Sequence, residues 1–159
     1  MMKRRFLAVL FLLLAALAAC TLPRHNSQSE LQLYYTSTQE QGPSILSQPS
    51  QLDKTASPEE LILALLAGPT QPELRSPFPA GLALRSCTLE NGLLTVDFSE
   101  QYDRLVNLPL TLADYCLVLT VCQLEGVDQV AVTCAGAPLS HRSHQILSHQ
   151  DVLLTLTPS

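Results

Sequence analysis

The chain has 159 residues and a formal charge of −5, from 14 acidic and nine basic side chains. That length holds one domain and excludes a multidomain enzyme. Lys3, Arg4 and Arg5 precede the first acid, Glu30, so a chain beginning at Cys20 falls from −5 to −8. A surface so acidic, with no Trp, excludes nucleic acid as an expected partner.

Of the first 20 residues, MMKRRFLAVLFLLLAALAAC, 17 are apolar. A basic start, an apolar run from Phe6 to Leu17 and then small residues form the layout of a secretory signal peptide, and the run is too short to be a spanning helix. Its end, Leu17-Ala18-Ala19-Cys20, resembles the lipobox of bacterial lipoproteins. The resemblance implies that residues 1–19 are removed and that Cys20, thioether-linked to diacylglycerol, becomes the N-terminus. Acyl chains of the palmitate kind would then hold the protein on the extracytoplasmic side of the cell membrane, since each buried CH₂ adds about 0.8 kcal/mol of membrane affinity. The alternative is a plain signal peptide and a secreted protein. Residues 21–30, TLPRHNSQSE, are polar and aperiodic and read as a flexible tether, leaving residues 31–159 as the domain.

Leu31–Thr36 alternates as a first strand does. Gln39–Thr55, rich in Gln, Ser and Pro, reads as a long loop with room for an edge strand at Ile45-Leu46. Ser57-Pro58-Glu59-Glu60 is a capping box with Pro at the first helical position, and Gly68-Pro69 ends the apolar helix that follows. Three prolines forbid regular structure between Thr70 and Gly81. Leu82–Leu89 and Leu93–Phe98 read as a hairpin around Asn91-Gly92. A second capping pattern at Thr111–Asp114 starts a helix that runs with Ala113, Cys116, Leu117, Thr120, Val121 and Leu124 on one face to Gly126. Val127–Cys134 is a strand turned by Ala135-Gly136; after the polar SHRSHQILSHQ segment, Val152–Thr157 reads as a last edge strand. The order βαββαβ predicts an α/β (α+β) fold, a small mixed sheet with two helices on one face.

LYYTS, the capped helix ending in LLAGP, SPFPAGLAL, ENGLLTVDFS, ADYCLVLTVCQL and GVDQVAVTCAGAPL together resemble the GerMN domain of the sporulation and spore germination family. The match runs from Leu31 to Leu139 and leaves 140–159 as a C-terminal tail. Membership implies an extracytoplasmic domain, often on a lipoprotein, that serves envelope or spore assemblies and turns over no substrate. The fold is similar to the ring-building motifs of secretion and sporulation machines. The resemblance therefore implies other envelope or spore-assembly proteins as partners, with homo-oligomers among the options, and no cofactor. Ala135 departs from the polar or acidic residue usual before the turn glycine, and the cysteines are not a family hallmark.

No GxSxG, HExxH or GxxxxGK[ST] pattern supports a hydrolase, zinc protease or phosphate loop. Asp97, Glu100 and Asp103 stand at the exit of a strand, where converging carboxylates could hold a cation or act as an acid/base pair, or else form a solvated strand end. His141, His144 and His149 could ligate a metal if their segment were helical, and otherwise mark a hydrophilic loop. Outside the cytoplasm Cys87, Cys116, Cys122 and Cys134 are candidates for disulfides or for buried thiols. Cys87 and Cys134 are in phase with core positions, Cys116 lies on the helix stripe, and Cys122 lies off it, six residues from Cys116, where the two cannot bridge. Cys122 could also act between molecules. The leading expectation is a membrane-anchored, non-catalytic binding module; the alternatives are a lipoprotein that captures a peptide or small molecule, and a thiol-dependent enzyme.

Overall fold

A computed structural model describes residues 30–38 and 42–153. The expected signal peptide, Cys20 and all of the expected tether before Glu30 lie outside the described residues. The described chain is a mixed α+β fold with two helices, as expected, but its strands divide between two sheets where one was predicted.

The smaller sheet is β1 (Gln32–Ser37) between β2 (Ile45–Pro49) and the two-residue β3 (Leu74–Arg75), all antiparallel; β3 falls between Pro72 and Pro77, in the segment expected to hold no regular structure, and is short enough to avoid both. The larger runs β4 (Leu84–Glu90), β5 (Leu93–Phe98), β6 (Gln129–Cys134), with β7 (Ala137–Pro138) and β8 (Ile146–Ser148) side by side along the outer edge of β6. β4 and β5 are the predicted hairpin, with a bulge at Arg85 that sets two residues against Asp97. β5 and β6 are parallel and are joined by a crossover containing a one-turn 3-10 helix (Tyr102–Arg104) and the long helix described next.

That division has a local cause in α2 (Asn107–Val121). Cys116 through Val121 are six consecutive buried residues, so the second half of the helix is covered on every side and is a central element, where a helix on one face was expected. It packs along the edge of β1 and supplies what a further strand would otherwise supply. The Gln32 N–H donates to Gln123 Oε1 at 2.9 Å and Gln123 Nε2 donates back to Gln32 O at 2.7 Å, while the Tyr34 N–H donates to Thr120 Oγ1 at 3.1 Å. Side chains just beyond and within α2 thus satisfy one half of that edge, and β3 the other.

The helix α1 (Pro58–Leu66) begins as its sequence dictates. Ser57 Oγ accepts from the Glu60 N–H at 3.2 Å and Glu60 Oε2 accepts from the Ser57 N–H at 2.8 Å. Gly68, at φ +90°, ends it, and the buried Tyr35 hydroxyl donates to the Leu65 carbonyl at 3.1 Å. The start of α2 was misplaced. It begins at Asn107, not at Thr111, with Pro109 tolerated in its first turn; Thr111 Oγ1 donates to the Asn107 carbonyl and caps nothing. One apolar core joins both sheets and both helices, including Leu31, Tyr35, Ile62, Leu65, Val96, Phe98, Tyr102 and Leu117. Phe98 and Tyr102 stack at 5.0 Å.

The tail departs most from its reading. The segment read as a hydrophilic loop contains β8, in which Val130 pairs with Leu147 and Ala131 with Ile146. The later strand was expected over Val152–Thr157; Val152 and Leu153 belong to no strand, and the rest lies outside the described residues. Among the described residues no helix is long and apolar enough to cross a membrane.

Candidate functional site

Asp97 was grouped with Glu100 and Asp103 as a cation or acid/base cluster, but its carboxylate is committed elsewhere. Oδ1 accepts from Thr133 Oγ1 at 2.7 Å and from the Gly136 N–H at 2.8 Å, and Oδ2 accepts from Arg85 Nε at 3.0 Å. Burial alone would raise its pKa, yet the Gly136 amide, the Thr133 hydroxyl and the Arg85 guanidinium together hold it below the usual carboxylate range. Asp97 therefore ties the bulge of β4, strand β6 and the β6–β7 turn into one node. That turn needs the tie, because Ala135 sits at φ +51°, a left-handed conformation costly for a residue with a Cβ. Glu100 and Asp103 instead line a shallow hollow with Arg104, Cys134 and Ser140.

The histidine segment is a turn leading into β8, not a helix. His141 Nε2 lies 2.9 Å from the Leu105 carbonyl, and its Nδ1 lies 3.7 Å from Asp103. His144 lines a cleft with Asn107, Thr111 and Tyr115, and His149 starts a one-turn 3-10 helix after β8. Among the described residues no three His, Cys, Asp or Glu side chains are placed to hold a metal.

Between those histidines the structure reveals a residue that sequence reasoning passed over. Arg142 is buried, and its Nη2 reaches Asp114 Oδ1 at 2.6 Å. Tyr102 donates its hydroxyl to the same oxygen at 2.6 Å. Burial pushes the Asp114 pKa up while Arg142 and Tyr102 pull it down, and burial drives the Tyr102 hydroxyl well above its ordinary value. Gln145 Nε2 bridges the Leu139 and Arg142 carbonyls at 3.0 Å each. The tail is thereby fastened to α2 and to the 3-10 helix. Asp114 had been read as part of a helix cap; a mid-helix Asp on an otherwise apolar face was the available sign of a buried pair.

All four cysteines of the described residues are free thiols. Cys87 lies opposite Val96 and Cys134 opposite Phe98, on either side of β5. Two strand spacings, about 9–10 Å, then separate them, beyond the reach of a disulfide. Cys116 and Cys122 are six residues apart on and just after one helix, a rise of about 9 Å. Burial raises every one of these thiols, Cys87 and Cys122 to about 11, with Glu59 adding to the effect on Cys87 and Asp128 on Cys122. None has the cationic surroundings that make a nucleophilic thiolate. Cys134 Sγ lies 3.1 Å from the Ser99 carbonyl.

The face of the larger sheet turned away from the core is open. Leu94, Val96, Phe98, Val130 and Val132 point inward, which sends Thr88, Thr95, Asp97 and Thr133 outward. With Ser86, Glu90, Asn91 and Leu93 they line an open hollow rich in hydroxyls. An enclosed apolar pocket with converging polar groups, as small-ligand sites have, is a different arrangement.

Comparison with known proteins agrees with this fold. Residues 32–140 match the family model Germane, described as sporulation and spore germination. The first GerMN domain of the sporulation protein GerM from Bacillus subtilis superposes with a TM-score of 0.61 at 19% identity, over 77% of this chain and 98% of that one. The tandem GerMN domains of GerM give 0.56 at 20% identity over 68% of this chain, which spans only 39% of the two-domain structure. A Clostridium perfringens protein provisionally described as a lipoprotein gives 0.53 at 20% identity, over 77% of this chain and 88% of that one. No curated protein matches the sequence.

Proposed function

The chain belongs to the Germane family of sporulation and spore germination domains, and on that premise we propose that it is a lipid-anchored, non-catalytic assembly module of the cell envelope. The observation that supports this most is what the family match does not leave over. The conspicuous polar groups of the domain, Asp97, Asp114, Tyr102 and Arg142, are spent on holding the domain's own elements together. The thiols are raised and free of activating cations. What stays open to solvent is a sheet face and a sheet edge, surfaces suited to protein partners.

The lipobox at Leu17–Cys20 supplies the anchor in this reading, and residues 21–30 the reach. A protein of similar fold that is provisionally described as a lipoprotein is consistent with it. Partners are other envelope or spore-assembly proteins met at the extracytoplasmic surface, where confinement to a membrane raises effective concentration.

The test is the heat-resistant spore yield and germination rate of a deletion strain, complemented with the wild-type gene or with Cys20→Ala. A defect rescued by wild type and poorly by Cys20→Ala is the expected result. Normal spores in the deletion strain would remove the spore role, and full rescue by Cys20→Ala would remove the anchor.

A further inference from the structure

The two edges of the larger sheet are unlike. Along β6, β7 pairs with Thr133 and Cys134 and β8 with Gln129–Ala131, so that edge is covered by the chain itself. β4 pairs only with β5 among the described residues. The two-residue turn Asn91-Gly92, with φ +50° and +83°, makes Glu90 and Leu93 the hydrogen-bonded closing pair. Alternation then directs the N–H and C=O groups of Leu89 and Cys87 away from β5. The other side of β5 agrees: the Gln129 N–H donates to Gly92 O at 3.0 Å, the parallel pattern that turns Leu94 toward β6 and away from Leu89.

We propose that two copies of this chain join edge to edge through β4, antiparallel about a two-fold axis at Cys87, into one continuous sheet. Cys87 is the middle of the seven residues of β4, so this register sets the strand against its copy along its length, with regular pairing on the Ser86–Glu90 side of the Arg85 bulge. Charge complementarity favours it. Arg85, half exposed, uses only Nε on Asp97, and the exposed Glu90 side chain makes no hydrogen bond or ion pair among the described residues. Arg85 stands opposite Leu89 of the second copy and next to its Glu90, and the two-fold makes that contact twice without placing like charges opposite each other. Apolar surface lies at the same edge: Leu89 is 40% exposed, and Leu63, on the α1 helix that packs against β4, is 51% exposed. The pairing is isologous and, with the β6 edge covered, closes at two copies. A seven-residue pairing falls short of the roughly 1,200 Å² of a standard interface, so the dimer forms where the protein is concentrated. The inference rests on the assembly role above for its setting and on β4 alone for its geometry.

Membranes of cells making the full chain are treated with diamide at mildly alkaline pH. Two thiols lose two hydrogens to diamide, which becomes the hydrazine, and one disulfide forms. Hydrogen-bonded antiparallel partners have Cα atoms about 5.5 Å apart, inside the range a disulfide spans. The expected product is a covalent dimer that disappears in Cys87→Ser and persists in Cys122→Ser. Glu90→Lys should cut its yield about three- to tenfold by losing two cross-strand pairs together. Leu89→Pro should abolish it, since that N–H is unused within one copy, while the circular dichroism spectrum shows the fold retained. No dimer, a link that survives Cys87→Ser, or indifference to both edge variants would overturn the proposal, as would a Cys87 link to a different protein. Normal spores with intact Cys87 dimers would remove the spore role and leave this interface standing.

Discussion

Replacing Arg142 tests whether the tail is part of the domain. Arg142→Ala leaves the Asp114 carboxylate buried with Tyr102 as its remaining side-chain partner. Breaking a buried pair by removing one member costs about 3–5 kcal/mol, because the survivor keeps its desolvation penalty. Against a total stability of about 5–15 kcal/mol, that is about a fifth or more of what holds the protein folded. For a domain of this size each kcal/mol moves Tm by about 3–6 °C, so a fall of about 9 °C or more is expected. Urea denaturation should show the midpoint falling with an unchanged slope, since the core of both sheets still unfolds together. Removing both members, as Arg142→Met with Asp114→Leu, should recover most of the loss, because no charge is then stranded. A loss below about 1 kcal/mol for Arg142→Ala would refute the reasoning and make the tail a dispensable appendage.

Other consequences are smaller and independent of one another. Ser57→Ala removes one half of the reciprocal cap on α1 and should cost about 1 kcal/mol in the same urea assay. Ala135→Asn places a residue tolerant of φ +51° in the β6–β7 turn and should raise stability by about 1 kcal/mol; a loss would show that the turn carries no strain. Asp97→Asn should cost about 1–3 kcal/mol. Because the folded state holds Asp97 below its ordinary pKa, its contribution is complete above about pH 4 and lost as pH falls through the lower folded value. The acid limb of the wild-type stability curve should therefore flatten in the Asn variant. Zinc should leave Tm unmoved, since the three histidines do not converge; a concentration-dependent rise would reveal a site.

Local chemistry made much of this fold legible. Ser57-Pro58-Glu59-Glu60 and Asn91-Gly92 name their structures within a few residues, because caps and tight turns are set by groups three or fewer positions apart. What escaped was decided at long range. Gln123 and Thr120 satisfy β1 across 91 and 86 residues, and nothing near Gln32 or Tyr34 announces that a helix will complete that edge. The second sheet was missed for that reason. Arg142 stood unremarked between two histidines because its meaning depends on Asp114, itself taken for part of a cap. Asp97 was read as part of a carboxylate cluster because its partners Arg85 and Gly136 arrive from the bulge and the turn, features of pairing register that composition does not encode.

The clasp between Gln123 and Gln32 has a mechanical side. Any pull transmitted through the residues before Leu31 enters the domain along β1, which lies in the middle of its sheet. Its hydrogen bonds to β2 and β3 lie across the direction of load, so they resist in parallel as a sheared lap joint and do not open one at a time like a zipper. The first bond to feel the load is that from the Ser50 N–H to the Leu31 carbonyl, next come the two between the Gln123 amide and the Gln32 backbone, and behind those stands the buried second half of α2. Tension at the N-terminus is thus spread into the core from its point of entry.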